Sequence, residues 1–143
     1  MFSNSVKYAL KAVIFLAVHS NENKKIMVKD ISGPINVPQP YIAKLLQELS
    51  KQNIISSTRG IKGGFYLTES NREQPIINII YAIEGEYNMK SCLLSLENCD
   101  NDKPCPLHKI ANPLRTKLYN SFKEKSIGEL SKEIKEKVSF LPL

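Results

Sequence analysis

The chain contains no tryptophan, and aromatic residues fill only 8% of its 143 positions. It lacks any apolar run near the roughly 18 residues that a membrane-spanning helix needs. The longest such run, residues 12–18, is flanked by Lys7, Lys11 and His19. Nor does this region resemble a secretory leader. Val6, Ala9, Leu10, Val13, Ile14 and Ala17 recur at helical spacing, Lys7 and Lys11 fall on the other face, and no small-x-small cleavage pattern follows. A cytoplasmic location is the expectation. Cysteine is scarce as well: three residues, an odd number, which argues against a disulfide framework and for metal or redox chemistry. Acidic groups are rare in one half only. Residues 1–68 carry nine basic groups and three acids, whereas residues 69–143 carry eleven of each. Catalytic patterns are also missing, with no phosphate loop, no nucleophile–base pair and no carboxylate pair, so an iron–sulfur or thiol enzyme is a remote alternative.

What is present suits one compact domain or a domain with an appendage. Apolar residues reach 42%, enough for a core. The first helix is predicted over residues 5–20, capped by Ser3 or Asn4, and a polar turn follows at residues 21–25. A short helix starts at Val28 and is expected to stop at Gly33–Pro34. Pro38 and Pro40 suit the first turn of the next helix, where a missing N–H costs nothing. From there Ile42, Leu45, Leu46 and Leu49 mark one apolar face. Residues 54–59 and 63–68 read as two strands joined by a link with three glycines at residues 60–64, a hairpin with a basic tip. Another helix is predicted over residues 76–84, ended by Gly85. Residues 86–112 show no period. Leu114, Leu118 and Phe122 then form a stripe on a long helix that either begins at Asn112–Pro113 or is kinked by Pro113. That stripe either joins two chains or closes the core of one. A last helix opens with the capping box Ser126-x-x-Glu129.

Helix, short helix, turn, helix and hairpin, with the positive charge gathered over them, is the order of a winged helix-turn-helix. The second helix of the pair enters the major groove by its N-terminal end. Cations supply affinity that ignores sequence, and polar groups at the helix start read base edges. A glycine-rich tip bearing Arg59 suits a minor groove. The fold class expected is mostly α with a small β wing (α+β), ending in a long C-terminal helix that serves dimerisation if its stripe joins two chains. The boundaries are 1–85 for the DNA-binding domain, 86–112 for a cysteine-containing sensor loop, and 113–143 for the dimerisation helix and tail.

The cysteines are spaced Cys92-x6-Cys99-x5-Cys105-x2-His108. Thiolates and imidazole suit zinc or an iron–sulfur cluster. A helical turn at Pro106 would set Cys105 beside His108. The spacing does not name the metal, although the close Cys-x2-Cys pairs usual in structural zinc sites are absent. Zinc and a bare thiol switch remain alternatives.

Three segments, Lys7-Tyr8-Ala9-Leu10, residues 37–46 from Val37-Pro38-Gln39-Pro40-Tyr41 to Leu46, and Arg59-Gly60-Ile61-Lys62-Gly63-Gly64-Phe65, resemble the Rrf-type family of bacterial regulators, with its IscR-like and NsrR-like branches. The resemblance spans about residues 5–130. It implies a homodimer joined through the C-terminal helix and bound to a pseudo-palindromic operator in double-stranded DNA. Pro38, Gln39, Pro40, Tyr41 and Lys44 on the reading helix and Arg59, Ile61, Lys62 and Gly63 on the wing would touch that DNA. Cys92, Cys99 and Cys105 would hold an iron–sulfur cluster. One branch of the family takes its fourth ligand from a carboxylate just before the N-terminal Tyr, where this chain has Lys7. Another takes it from a His placed as His108 is. This favours a 2Fe–2S cluster over 4Fe–4S, although the x6 gap departs from that branch. No membrane partner is implied.

Overall fold

The structure, a computed structural model, describes residues 2–142, with the backbone alone described at 87–89. In chain order it has α1 (Asn4–His19), α2 (Val28–Ile35), α3 (Gln39–Lys51), β1 (Ser56–Thr58), β2 (Gly64–Tyr66), α4 (Glu69–Glu73), α5 (Ile77–Lys90), α6 (His108–Glu124) and α7 (Ile127–Lys135). The expected class holds: a mostly helical molecule with one small antiparallel sheet.

Helix α1 is the centre of the core. Ser3 caps it, its Oγ accepting from the Val6 N–H, and Val6, Ala9, Ala12, Val13, Phe15, Leu16 and Ala17 are buried along it. Small and large residues alternate on this face, which lets α2, α3, α5 and α7 approach it from several sides. Its C-terminal end is closed by a side chain 55 positions away: Arg72 donates to the carbonyls of Ala17 at 2.6 Å and Ser20 at 2.8 Å. A cation there completes the carbonyls that the helix leaves unpaired.

The expectation that α2 stops at Gly33–Pro34 is corrected. The helix runs through both to Ile35. Its stop is Asn36, in the left-handed region at φ 56°. The Asn36 N–H bonds the Gly33 carbonyl (3.1 Å) and the Val37 N–H bonds the Ser32 carbonyl (3.2 Å). This paired closure is a Schellman turn, and buried Val37 and Ile31 supply the apolar contact that accompanies it. Helix α3 ends the same way. Asn53 sits at φ 60°, its N–H bonds Ser50, and the Ile54 N–H bonds Leu49.

The strands are shorter than expected, three residues each, with Ser56 opposite Tyr66, Ser57 opposite Phe65 and Thr58 opposite Gly64. Residues 54 and 55 turn inward to the core instead of extending the sheet. On its other edge β2 is met by Ile26, which exchanges two backbone hydrogen bonds with Phe65 at 2.9 and 2.8 Å. A Cβ on Gly64 would lie 2.7 Å from the Ile26 carbonyl oxygen, so the wing root tolerates only glycine.

Helix α5 bends at Gly85 (φ 79°, ψ 163°), where the sequence placed an end, and resumes to Lys90. Helix α6 begins at His108 and carries Pro113 inside it, which decides between the two starts the sequence left open. Tyr81 of α5 donates its hydroxyl to Tyr119 of α6 at 2.6 Å. Burial first, and then the bond to Tyr119, hold the Tyr81 hydroxyl well above its ordinary pKa. The Ser126–Glu129 capping box forms as expected, with Ser126 Oγ accepting from the Glu129 N–H at 3.1 Å, and opens α7, which returns to pack on α1. Among the described residues no helix is long and apolar enough to cross a membrane.

Candidate DNA interface and metal centre

Helix α3 buries Ile42, Leu46 and Leu49 against α1, α2 and α5, which turns its opposite face outward. Pro38 is its N-cap and Pro40 its second residue, so neither removes a needed hydrogen bond. Pro38, Gln39, Pro40 and Lys44 are exposed, together with Gln47 and Glu48. Tyr41 is 40% exposed and tied back to the body. Its hydroxyl is 2.5 Å from Ser5 Oγ, and its ring meets the edge of Tyr8 at 5.7 Å. The sequence reading missed this pairing, which fixes the entry of the reading helix to α1.

At the wing, Arg59, Ile61 and Lys62 are exposed. Gly63 is buried. Its N–H closes the turn on the Gly60 carbonyl at 3.0 Å, and a Cβ there would lie 2.3 Å from the Thr58 carbonyl oxygen. Gly63 therefore shapes the tip, while Arg59, Ile61 and Lys62 project from it. Among the described residues, Lys44, Arg59 and Lys62 enter no ion pair.

Between α5 and α6 the chain folds so that the sulfurs of Cys92, Cys99 and Cys105 lie within 4.8 Å of one another. Cys92 Sγ and Cys105 Sγ are 3.6 Å apart, and Cys99 Sγ is 3.5 Å from His108 Nδ1. All three thiols are half-buried, as is His108. Backbone hydrogen bonds from Leu96 and Leu94 lower the Cys92 thiol from its ordinary value to about 7. At Cys99 the hydrogen bond from the Cys105 backbone N–H lowers the pKa. Burial and the neighbouring sulfurs outweigh it, and the thiol is pushed up. Two residues that the sequence patterns did not single out hold the loop in place. Arg115 donates to the Ser91 carbonyl and to Asn112 Oδ1, and Asn101 Oδ1 lies 3.1 Å from His108 Nε2. Neither follows from spacing, because both contacts depend on the path the loop takes. Three thiols converging on one point, with an imidazole beside one of them, suit a zinc ion or an iron–sulfur cluster.

An exposed reading helix, a paired wing and a core built on α1 define a winged-helix, DNA-binding transcription regulator. The chain belongs to the Rrf2 family, described as iron-dependent transcriptional regulators, whose model matches residues 2–133. It is 33% identical over 132 residues to an HTH-type transcriptional regulator of Aquifex aeolicus, covering 91% of this chain and 90% of that one. It is also 27% identical over 124 residues to the HTH-type transcriptional regulator IscR of Photorhabdus laumondii, covering 87% of this chain and 74% of that one. The solved structure of T. potens IscR superposes with a TM-score of 0.72 at 20% identity, covering 99% of this chain and 93% of that one. The family and these neighbours are transcription regulators, not enzymes.

Proposed function

We propose that this regulator is a cytoplasmic homodimer whose operator affinity is set by an iron–sulfur cluster, of the 2Fe–2S type, held by Cys92, Cys99, Cys105 and His108. The observation that carries the reading is the convergence of three sulfurs within 4.8 Å, with His108 Nδ1 3.5 Å from one of them. Kinship to proteins named IscR supports it. When bound, the cluster supplies a redox-active centre that responds to iron–sulfur supply, redox state or nitric oxide. The chain's own residues hold it and relay its presence. The cysteine-containing segment, expected over residues 86–112 and looping over residues 91–107 between α5 and α6, acts as the sensor between the DNA-binding part (1–85) and the C-terminal part (113–143). Arg115 joins the start of that loop to α6, α6 packs on α5, and α5 packs on both α1 and α3. Ordering the loop therefore biases the helix-turn-helix between two arrangements, and each arrangement has its own operator affinity. Pro38, Gln39, Pro40, Tyr41, Lys44, Arg59, Ile61 and Lys62 face a pseudo-palindromic operator. A two-fold dimer through α6 presents two reading helices, each to one half-site.

The visible spectrum of anaerobically purified and reconstituted protein tests the reading, with iron, sulfide and zinc measured in the same sample. Charge-transfer bands with stoichiometric iron and sulfide are expected, and Cys→Ala at any of the three positions abolishes them. A colourless protein with one zinc per chain overturns the cluster. It would favour the second reading, a closed Cys3His zinc site, which the same donor set also suits.

A further inference from the structure

Asn101 is exposed on the sensor loop, yet its position is fixed. The carboxylate of Asp100 accepts from the backbone N–H groups of Asp102 at 2.9 Å and Lys103 at 2.7 Å, a tight local turn that sets the direction of the neighbouring amide. That turn brings Asn101 Oδ1 to 3.1 Å from His108 Nε2. The other ring nitrogen, Nδ1, faces Cys99 Sγ at 3.5 Å. The imidazole is held from both ends, by an amide on one side and by the thiol pocket on the other.

A neutral imidazole has one N–H and one lone pair, and the partner of one nitrogen decides what the other offers. With the Asn101 oxygen as acceptor, the proton sits on Nε2 and the Nδ1 lone pair is left on the side of Cys99 Sγ. With the amide turned over, its NH2 would donate to Nε2. The proton would then sit on Nδ1, which would donate to Cys99 and bind nothing. We propose that Asn101 is a positioning residue that locks His108 in its Nε2–H tautomer, so that Nδ1 is the nitrogen offered to the cluster. This inference rests on the reading above, in which His108 completes the donor set. The arrangement matches the general rule that a metal-bound histidine donates its second N–H to a carbonyl or carboxylate oxygen.

The test uses full-length protein reconstituted anaerobically with ferrous iron, inorganic sulfide and a thiol reductant. Histidine labelled with 15N at Nδ1 alone is incorporated, and the reduced cluster is examined by pulsed electron paramagnetic resonance. Strong coupling to the labelled Nδ1 is expected. Asn101→Leu removes the acceptor and should speed cluster loss about tenfold, in keeping with the usual effect of losing such a partner. Asn101→Asp keeps an acceptor of the same shape, so it should retain the cluster at least as long as the parent and lower its reduction potential, because a carboxylate makes the ring a stronger donor. Circular dichroism of both variants checks that the helices stand. Coupling to Nε2 in place of Nδ1 overturns the inference. So does an Asn101→Leu protein with unchanged cluster lifetime and potential, or an Asn101→Asp protein that loses its cluster as fast as Asn101→Leu. Each of these outcomes leaves the cluster itself standing. Protein that takes up no iron and sulfide at all overturns both readings together.

Discussion

At the scale of single residues, the molecule depends on side chains that do work far from their place in sequence. Arg72 is one: exposed by composition, it closes the C-terminal end of α1 through two carbonyls. Hydrogen bonds from a charged donor contribute about 1.5–3 kcal/mol, so Arg72→Ala should lower unfolding stability by that order in urea titrations. Arg72→Lys should recover less than half, because one ammonium lacks the fork that spans both carbonyls. Asn36 and Asn53 are a second kind. Each takes the left-handed conformation that ends a helix, which costs an ordinary L-residue about 1–2 kcal/mol. Asn36→Gly should be neutral or slightly stabilising and Asn36→Val destabilising by about that amount, as read from denaturant midpoints; equal midpoints would remove the turn from the account. At Glu129 the Ser126 backbone N–H, and then its side chain, hold the carboxyl below its ordinary value of 4.5. A depressed folded-state value means the contribution is complete above the unfolded pKa and lost as pH falls through the folded one. The docking of α7 should therefore loosen only in acid below about pH 4.5, and Glu129→Gln should flatten that acid limb.

At the scale of elements, the parts that repeat or alternate were legible in the sequence, and the parts set by long-range contact were not. The apolar face of α3 at Ile42, Leu46 and Leu49, the glycine-rich wing and the capping box of α7 follow from spacing alone. The end of α2 was misplaced because Gly33 and Pro34 carry strong stop signals. Proline near the last turn still fits a helix whose carbonyls are closed two residues later by Asn36 and Val37. The wing strands were overextended because Ile54 and Ile55, good strand formers, are claimed by the core. The cysteine spacing marked three thiols as a group but could not show that they meet, since convergence depends on the path of the loop. The stripe on α6 divides in a way no pattern reveals. Phe122 turns inward, stacking on Phe2 at 5.8 Å, while Ile110 and Leu114 are 67% and 64% exposed. In the dimer proposed above, these outward apolar residues are the part of α6 left for a second copy. Leu114→Asp should therefore leave the protomer folded, since Leu114 touches little of its own core, but place an unpaired charge at the seam and yield monomers. Analytical ultracentrifugation reads this directly, and an intact Leu114→Asp dimer would move the interface away from α6.

At the scale of the whole molecule, the charge and the architecture divide along the same line. The net excess of six positive charges belongs entirely to residues 1–68, the part that carries the reading helix and the wing. Helices α5, α6 and α7 lie in the part where acids and bases balance. A protein whose surface served only solubility would gain nothing from that division, whereas a polyanion bound on one face rewards it. In the operator complex proposed above, the cations serve two distinct tasks. Lys44 stands on the exposed face of α3, where a phosphate beside the major groove comes within reach. Arg59 and Lys62 flank the fully exposed Ile61 at the tip of a wing whose close backbone approaches require Gly63 and Gly64. Phosphate contacts act at every sequence, whereas an arginine in a minor groove also responds to groove width, so the two kinds separate in their response to sequence. Operator binding should weaken steeply as ionic strength rises. Lys44→Ala should lower affinity at every sequence and reduce the log–log salt slope by about one. Arg59→Ala should cost affinity chiefly on operators with a narrow, A·T-rich minor groove, where the negative potential is strongest. Fluorescence anisotropy titrations across a salt series, on two operators differing only in minor-groove width, would show both effects. An Arg59→Ala protein that loses affinity equally on both duplexes would make the wing a plain phosphate contact, and a salt-independent parent would remove the electrostatic basis of binding altogether.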